Sequence, residues 1–241
     1  MTNLAIDSSR RSANRSPRGS TIIEMIVLHA TVGSAKSALD WLTSPASKVS
    51  THYLIDKAGK VYQLVADDQV AWHAGRSSWH GVTKVNECSL GIELENANDG
   101  RDPYPAVQLE QCRLLCLDKI ARYHIARGDV VRHLDIATPR GRKTDPAAFP
   151  WPAFADALYP HLSSPDAHYR VLNRATAGAT IRDYPRTNAR IRGVLEAGAD
   201  WYGEPIAGQL VSVTGFGSSA TWIRNLDQRV VWGGLLEKVR G

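Results

Sequence analysis

The sequence predicts a mixed α/β domain, a central β-sheet packed by helices, followed by a small all-β barrel. Three observations carry that expectation. Ile22 to Leu28 is a nearly continuous apolar run of strand length, the pattern of a central strand buried on both faces. Between Pro105 and Arg127, Leu109, Cys112, Cys116, Ile120 and Tyr123 recur at helical spacing. From His168 onward, short runs such as YRVLN, TIRDY, QLVSV, TWIRN and VVWGG alternate with Gly, Pro and Asn turns, which is the texture of a small barrel.

Taken in order, residues 1–20 are rich in Ser, Arg and Asn and nearly free of apolar side chains, so a flexible arm is expected. His29 closes the first apolar run. Ser34 can cap a short helix through Leu42, with Ala38, Leu39 and Leu42 on its inner face. THYLID and VYQLV, joined by a Gly-containing loop, read as a hairpin, and AWHAG with the polar stretch to Asn86 reads as loop over the sheet. Ser89 to Glu95 alternates, with Leu90, Ile92 and Leu94 on one side and Gly91, Glu93 and Glu95 on the other. A long helix over 105–127 has proline near its first turn and Gly128 past its end. Val130-Val131 then delivers His133 into a loop that ends at Asp145, where Pro139, Gly141 and Pro146 exclude regular structure through most of the segment. Trp151 to Leu158 closes the domain as a short helix, and HLSSPDA, residues 161–167, reads as a linker.

Bulk properties narrow the classes. At 241 residues and 43% hydrophobic content, the chain can bury one large core or two modest ones. No run approaches the roughly 18 apolar residues of a membrane helix, so no membrane insertion is expected. The N-terminus lacks the apolar core of a standard secretory signal, from which a cytoplasmic location before release is expected. Cys88, Cys112 and Cys116 are odd in number, and two lie four apart on a helix, where geometry opposes a disulfide; reduced, buried thiols are expected. A thiolate metal site on that pair would lack ligands beyond His124. The net charge is +5, and residues 168–241 hold ten Lys/Arg against six Asp/Glu, which suggests an anionic partner for the C-terminal part. No nucleic-acid-binding motif accompanies the charge, so no nucleic acid is expected.

His29, His133 and Asp145 are the residue types that hold a tetrahedral zinc with one place left for water. Separated by more than a hundred residues, His29 and His133 make no motif by spacing, and a hydrogen-bonded histidine is the commoner fate of either. Alternation places Glu93 and Glu95 on one strand face without saying which does chemistry.

The segments IVLHAT, THYLID, AWHAG, SLGIELE and RHLDIA…GRKTDP occur in the order and at roughly the separations of the type 2 N-acetylmuramoyl-L-alanine amidases, and residues 20–160 resemble that family. It includes phage amidases, bacterial recycling amidases and peptidoglycan recognition proteins. The resemblance implies one Zn²⁺ held by His29, His133 and Asp145, with Glu93 as general base (Glu95 as its substitute) and Lys143 stabilising the oxyanion. It further implies that His52, Trp72, His73 and Asn86 line the substrate cleft, while Asp135 and Arg142 are structural. The loop ATPRGRKTDP is slightly longer than the commonest pattern, which leaves its path open. The tail, through its hydrophobic spacing, turn glycines, Trp222 and Trp232, resembles bacterial SH3-like wall-binding domains.

The organisation expected is therefore an arm at 1–20, a zinc amidase at 21–160, a linker at 161–167 and an SH3-like domain at 168–241. The function expected is hydrolysis of the lactyl–L-alanine amide of peptidoglycan by a monomeric phage endolysin, held in the host cytoplasm until a membrane pore releases it. The C-terminal domain would bind a cell-wall polymer. The alternatives are a non-catalytic peptidoglycan-binding protein, a bacterial autolysin and a recycling amidase.

Overall fold

Two runs dominated by aliphatic side chains, Met25–Ala30 and Ser89–Leu94, are buried along nearly their whole length and lie side by side as interior parallel strands of a six-stranded sheet. The computed structural model describes residues 4–125, 127–158, 168–173, 175, 177–182, 191–202, 204–224 and 230–238. Its chain divides into two units, Met1–Leu158 and Tyr159–Gly241. The linker expected at 161–167 lies outside the described residues.

In the first unit the elements are β1 (Ile6–Asp7), β2 (Arg15–Pro17), β3 (Met25–Ala30), α1 (Ala35–Thr43), β4 (Tyr53–Ile55), β5 (Val61–Gln63), β6 (Gln69–Ala71), α2 (Val85–Cys88), β7 (Ser89–Leu94), α3 (Ala106–Tyr123), β8 (Val130–Arg132), α4 (His133–Ile136) and α5 (Trp151–Leu158). The sheet order is β1-β5-β4-β7-β3-β8, with β4, β7, β3 and β8 parallel and the β4–β5 hairpin antiparallel. Register places His29 beside Glu93 and Leu28 beside Arg132, so the C-terminal ends of three strands meet at one edge. Below that edge, Met25, Val27, Val131, Ala74, Val85, Cys88 and Ile136 form an apolar cluster. α3 packs on β4, and α5 packs on α3.

Three expectations change. Residues 4–20 are not a free arm: β1 pairs with β5 and β2 with β6, and Ser12, Asn14 and Arg18 are buried. Composition is a poor guide here because polar bonds do the holding: Ser12 Oγ donates to Leu42 O, and Asn14 Nδ2 donates to Ser44 O and Val49 O. The buried stripe of α3 is Gln108, Gln111, Cys112, Leu115, Cys116 and Lys119, whereas Leu109, Ile120 and Tyr123 are only half-buried. His133 opens a single helical turn instead of a loop, held by the Arg132–Asp135 pair at 2.8 Å. None of the three cysteines forms a disulfide, and all are buried.

In the second unit, strands β9 (His168–Val171), β10 (Ala179–Arg182), β11 (Ile191–Leu195), β12 (Asp200–Tyr202), β13 (Glu204–Val213), β14 (Gly217–Arg224), β15 (Val230–Trp232) and β16 (Leu236–Lys238) form two antiparallel sheets, β11-β10-β15-β14-β13 and β12-β9-β16. Trp201, Ile223, Val171 and Val231 share one cluster, and Trp222 and Trp232 share another. Each indole is satisfied: Trp201 donates to Ile223 O, Trp222 to Gln209 O and Trp232 to Ser219 O. Among the described residues the strands do not close into a single barrel. No described helix is long and apolar enough to cross a membrane.

Candidate metal centre and cleft

His29 leaves the end of β3, His133 follows β8, and Asp145 returns along the loop whose carbonyl accepts from Leu134 N at 2.9 Å. All three are buried. His29 Nδ1 lies 3.0 Å from His133 Nδ1 and 3.4 Å from Asp145 Oδ2, and His133 Nδ1 lies 2.9 Å from the same oxygen. Ligands about 2.0–2.2 Å from a tetrahedral ion are about 3.3–3.5 Å apart. Edges of 2.9–3.4 Å therefore match such a set, slightly contracted.

The donor chemistry points the same way. His133 Nε2 faces Ala74 O at 3.1 Å, and a carbonyl only accepts, so that nitrogen carries a proton and Nδ1 is the one turned to the site. Its Nδ1 faces an Asp145 carboxylate oxygen at 2.9 Å, so a cation placed between the two would bind both. Burial brings the His29 pKa down to about 4 against the pull of Asp145, so this ring is neutral near pH 7. Burial raises the Asp145 carboxyl, but its bonds to His133 and His29 outweigh that and hold it well below the usual carboxylate range. His29, His133 and Asp145 are thus a group that could hold a metal ion.

These residues open into a cleft of about 270 Å³, lined also by Glu93, Lys143, Trp72 and His73, with Val32, Ala38, Trp41, Leu42 and Val49 as an apolar wall. Glu93 Oε2 is enclosed and has no hydrogen-bond partner. Burial, then the nearby Asp145 carboxylate, push the Glu93 carboxyl up to about 8. Lys143 is exposed at the cleft mouth. Glu95 does not face this space: its carboxylate accepts from Ala35 N at 2.9 Å and Lys57 N at 2.8 Å, tying α1 to the hairpin loop.

Trp72 borders the cleft, with its indole N–H on Ser16 Oγ at 2.9 Å. His73 also borders it, but both of its nitrogens are engaged, Nδ1 with His29 Nε2 at 3.0 Å and Nε2 with Ser89 Oγ at 3.1 Å. Two residues expected in the cleft are elsewhere. His52 is fully buried: Gly91 N donates to its Nδ1 at 3.0 Å, while its Nε2 sits beside Arg18 and Gln69 O. Burial, then the Arg18 charge, lower its pKa to about 3. Asn86 uses its side-chain oxygen to accept from His73 N and Ala74 N at 3.1 and 2.8 Å, so it shapes the segment that carries His73. Neither side chain lines the cleft.

Sequence reasoning missed Arg18, Ser89 and Trp41. Arg18 is buried under the site and donates to the carbonyls of Asp67, Glu87, Gln69 and Ser89. Nothing in its Ser/Arg-rich context distinguishes it from its neighbours. Trp41 left a signal, a large aromatic beside the apolar stripe of a short helix; it is 59% exposed on the cleft wall.

The profile of the family described as N-acetylmuramoyl-L-alanine amidase (Amidase_2) matches residues 18–148, more than half of the chain. N-acetylmuramoyl-L-alanine amidase AmiD of Escherichia coli (strain K12) is 38% identical over 165 residues, which cover 62% of this chain and 57% of that protein. 1,6-anhydro-N-acetylmuramyl-L-alanine amidase AmpD of Salmonella typhimurium (strain SL1344) is 39% identical over 108 residues, 44% of this chain and 56% of the relative. The chain thus spans less than two thirds of the length of these curated relatives. Among solved structures, E. coli AmiD in complex with anhydro-N-acetylmuramic acid-L-Ala-D-gamma-Glu-L-Lys has a TM-score of 0.52 at 36% identity, covering 62% of this chain and 61% of the other. A selenomethionine derivative of AmpD has a TM-score of 0.54 at 27% identity, covering 65% and 96%. The expectation of a protein held in a host cytoplasm for pore-dependent release is corrected by these relatives, which are bacterial amidases and not phage lytic enzymes. Profile, fold and the residues gathered at the strand ends agree that this chain belongs to the Amidase_2 family of N-acetylmuramoyl-L-alanine amidases.

Proposed function

We propose that this protein is a zinc-dependent N-acetylmuramoyl-L-alanine amidase of the bacterial recycling kind, which cleaves the bond between the lactyl group of a muramic acid and L-alanine in soluble muropeptides. The observation that carries the reading is the convergence of His29, His133 and Asp145 beside the unpartnered Glu93 carboxyl. The names of the relatives support the bond, and the muramyl tripeptide bound to AmiD supports the substrate class.

His29, His133 and Asp145 would hold one zinc, the divalent ion that this N,N,O set favours. When bound, it lowers the pKa of water and polarises the scissile carbonyl. Glu93 takes the proton of the attacking water and returns it to the leaving L-alanine nitrogen, a role supported by its enclosed Oε2, which has no hydrogen-bond partner. Lys143 offers a cation at the cleft mouth for the charge that builds on the carbonyl oxygen. Val32, Trp41 and Val49 give the sugar ring and lactyl methyl an apolar face, with Trp72 on the rim. Residues 168–241 serve as an SH3-like wall-binding module, and the chain acts as a monomer.

Hydrolysis of anhydromuramyl tripeptide and of purified peptidoglycan, followed by mass spectrometry with and without chelator, tests this reading. Free peptides beginning with L-alanine, lost on chelation and restored by zinc, are expected. Binding without release of such peptides would make the protein a recognition module.

A further inference from the structure

A metal-binding imidazole must present a bare nitrogen, so its proton must be kept on the other one. For His133 the carbonyl of Ala74 does this directly. His29 has no such carbonyl; its Nε2 meets His73 Nδ1, a group that can donate or accept according to its own tautomer. The ambiguity ends one residue further on. Ser89 Oγ donates its single proton to Val85 O, which only accepts, so toward His73 Nε2 the hydroxyl must itself accept. His73 therefore carries its proton on Nε2 and is bare at Nδ1, and it accepts from His29 Nε2–H. That leaves Nδ1, the nitrogen turned toward His133 and Asp145, as the one His29 would present to a metal.

We propose that His73, anchored by Ser89, is a positioning residue that sets the tautomer and ring orientation of the metal ligand His29. The inference rests on the metal reading of His29, His133 and Asp145, and it replaces the expected substrate-binding role of His73. Both ring nitrogens of His73 are engaged, so none is left for substrate. The sheet is built for this relay. Ser89, Gly91 and Glu93 share one face of β7, with His29 paired to Glu93 on β3. The His73 ring spans from Ser89 to His29 across Gly91, where a Cβ would come within 2.5 Å of His73 Cγ. Asn86 holds the His73 backbone in place, and Ser89 is fully buried, which keeps water from replacing its hydroxyl.

The test uses the full chain, ¹⁵N-labelled at histidine and metal-free, with tautomers read from long-range ¹H–¹⁵N spectra and zinc affinity measured against a chromophoric chelator. His29 and His73 should both appear as Nε2–H tautomers. Ser89→Ala should populate the other tautomer of His73 and weaken zinc binding about 10–100-fold, and Ser89→Thr should restore both. A thermal melt separates this from a folding defect, and if Ser89→Ala fails to fold the wild-type spectra still decide the matter. A wild-type His29 protonated at Nδ1, or a folded Ser89→Ala protein with unchanged zinc affinity, would overturn the proposal. Wild-type protein that binds no zinc would instead remove the metal reading, while the tautomers recorded in the same metal-free sample still decide the relay.

Discussion

At the residue scale, the proposed mechanism separates groups that hold from groups that react. His29, His133 and Asp145 have donor atoms 2.9–3.4 Å apart and are buried, so each substitution to Ala should remove bound zinc together with activity. Glu93 stands beside them without a bond of its own. Glu93→Gln should keep stoichiometric zinc, measured by atomic absorption, while turnover falls about 10²–10⁴-fold. Turnover near wild type would take the base role from Glu93, and Glu95, committed to Ala35 N and Lys57 N, could not inherit it unchanged. Gly91→Ala tests the floor of the site. Its new Cβ requires the His73 ring to move, so zinc affinity should drop with little change in secondary structure by circular dichroism. An unaltered affinity would mean that the ring can shift without disturbing His29.

At the element scale, α3 shows how polar side chains can own a buried stripe. Lys119, almost fully buried, pairs with Asp67 at 3.1 Å, and Asp67 also accepts from Tyr53 OH at 2.6 Å and Tyr123 OH at 2.8 Å. Gln108 spans the carbonyls of Ile55 and Glu95. Apart from Tyr123 of α3 itself, these partners come from β4, the residue after β7 and the loop after β5, so helical periodicity in α3 carried no sign of them. Burial alone would raise the Asp67 carboxyl, but the Tyr53 hydroxyl and the Lys119 charge outweigh it and hold the pKa below its ordinary value. Its contribution to stability is therefore complete above the unfolded value of about 3.9 and is lost as pH falls through the folded one. Asp67→Ala leaves the Lys119 ammonium with only the half-exposed Asp118, at a cost of about 3 kcal/mol. Urea midpoints at pH 7 should show that loss, and the gap between variant and wild type should narrow at low pH. A gap independent of pH would assign the effect to packing instead.

At the scale of the whole molecule, the family match ends at residue 148, and the first unit ends at Leu158. All the residues that line the cleft fall within that unit. A chain truncated after Leu162 should therefore keep its kcat/KM on a soluble anhydromuramyl peptide within about two-fold, given the near-additivity of distant sites. It should sediment less with intact cell walls than the full-length protein. Equal sedimentation of the two would leave the Trp-rich sheets of the second unit without the wall-binding role proposed for them.

Much of the architecture was legible in the chain alone, because burial on both faces demands continuous apolar runs and helix ends demand particular caps. Met25–Ala30, the Ser34-capped α1, the β4–β5 hairpin and the Pro105-led α3 all follow from such local demands. The candidate ligands were legible from residue type and ordered motifs. Tertiary structure alone decided which side chains face the cleft. Glu93 and Glu95 share a strand face, yet the backbone amides of Ala35 and Lys57 claim one of them. His52 and Asn86 sit in motifs beside the site, yet bond to the protein's own backbone. Arg18, in a stretch without apolar signal, becomes the buried clasp beneath β7. The physical reason is common to all of these: a polar side chain acts through its hydrogen-bond partners, and those partners lie tens of residues away, brought within reach only by the packing of the sheet.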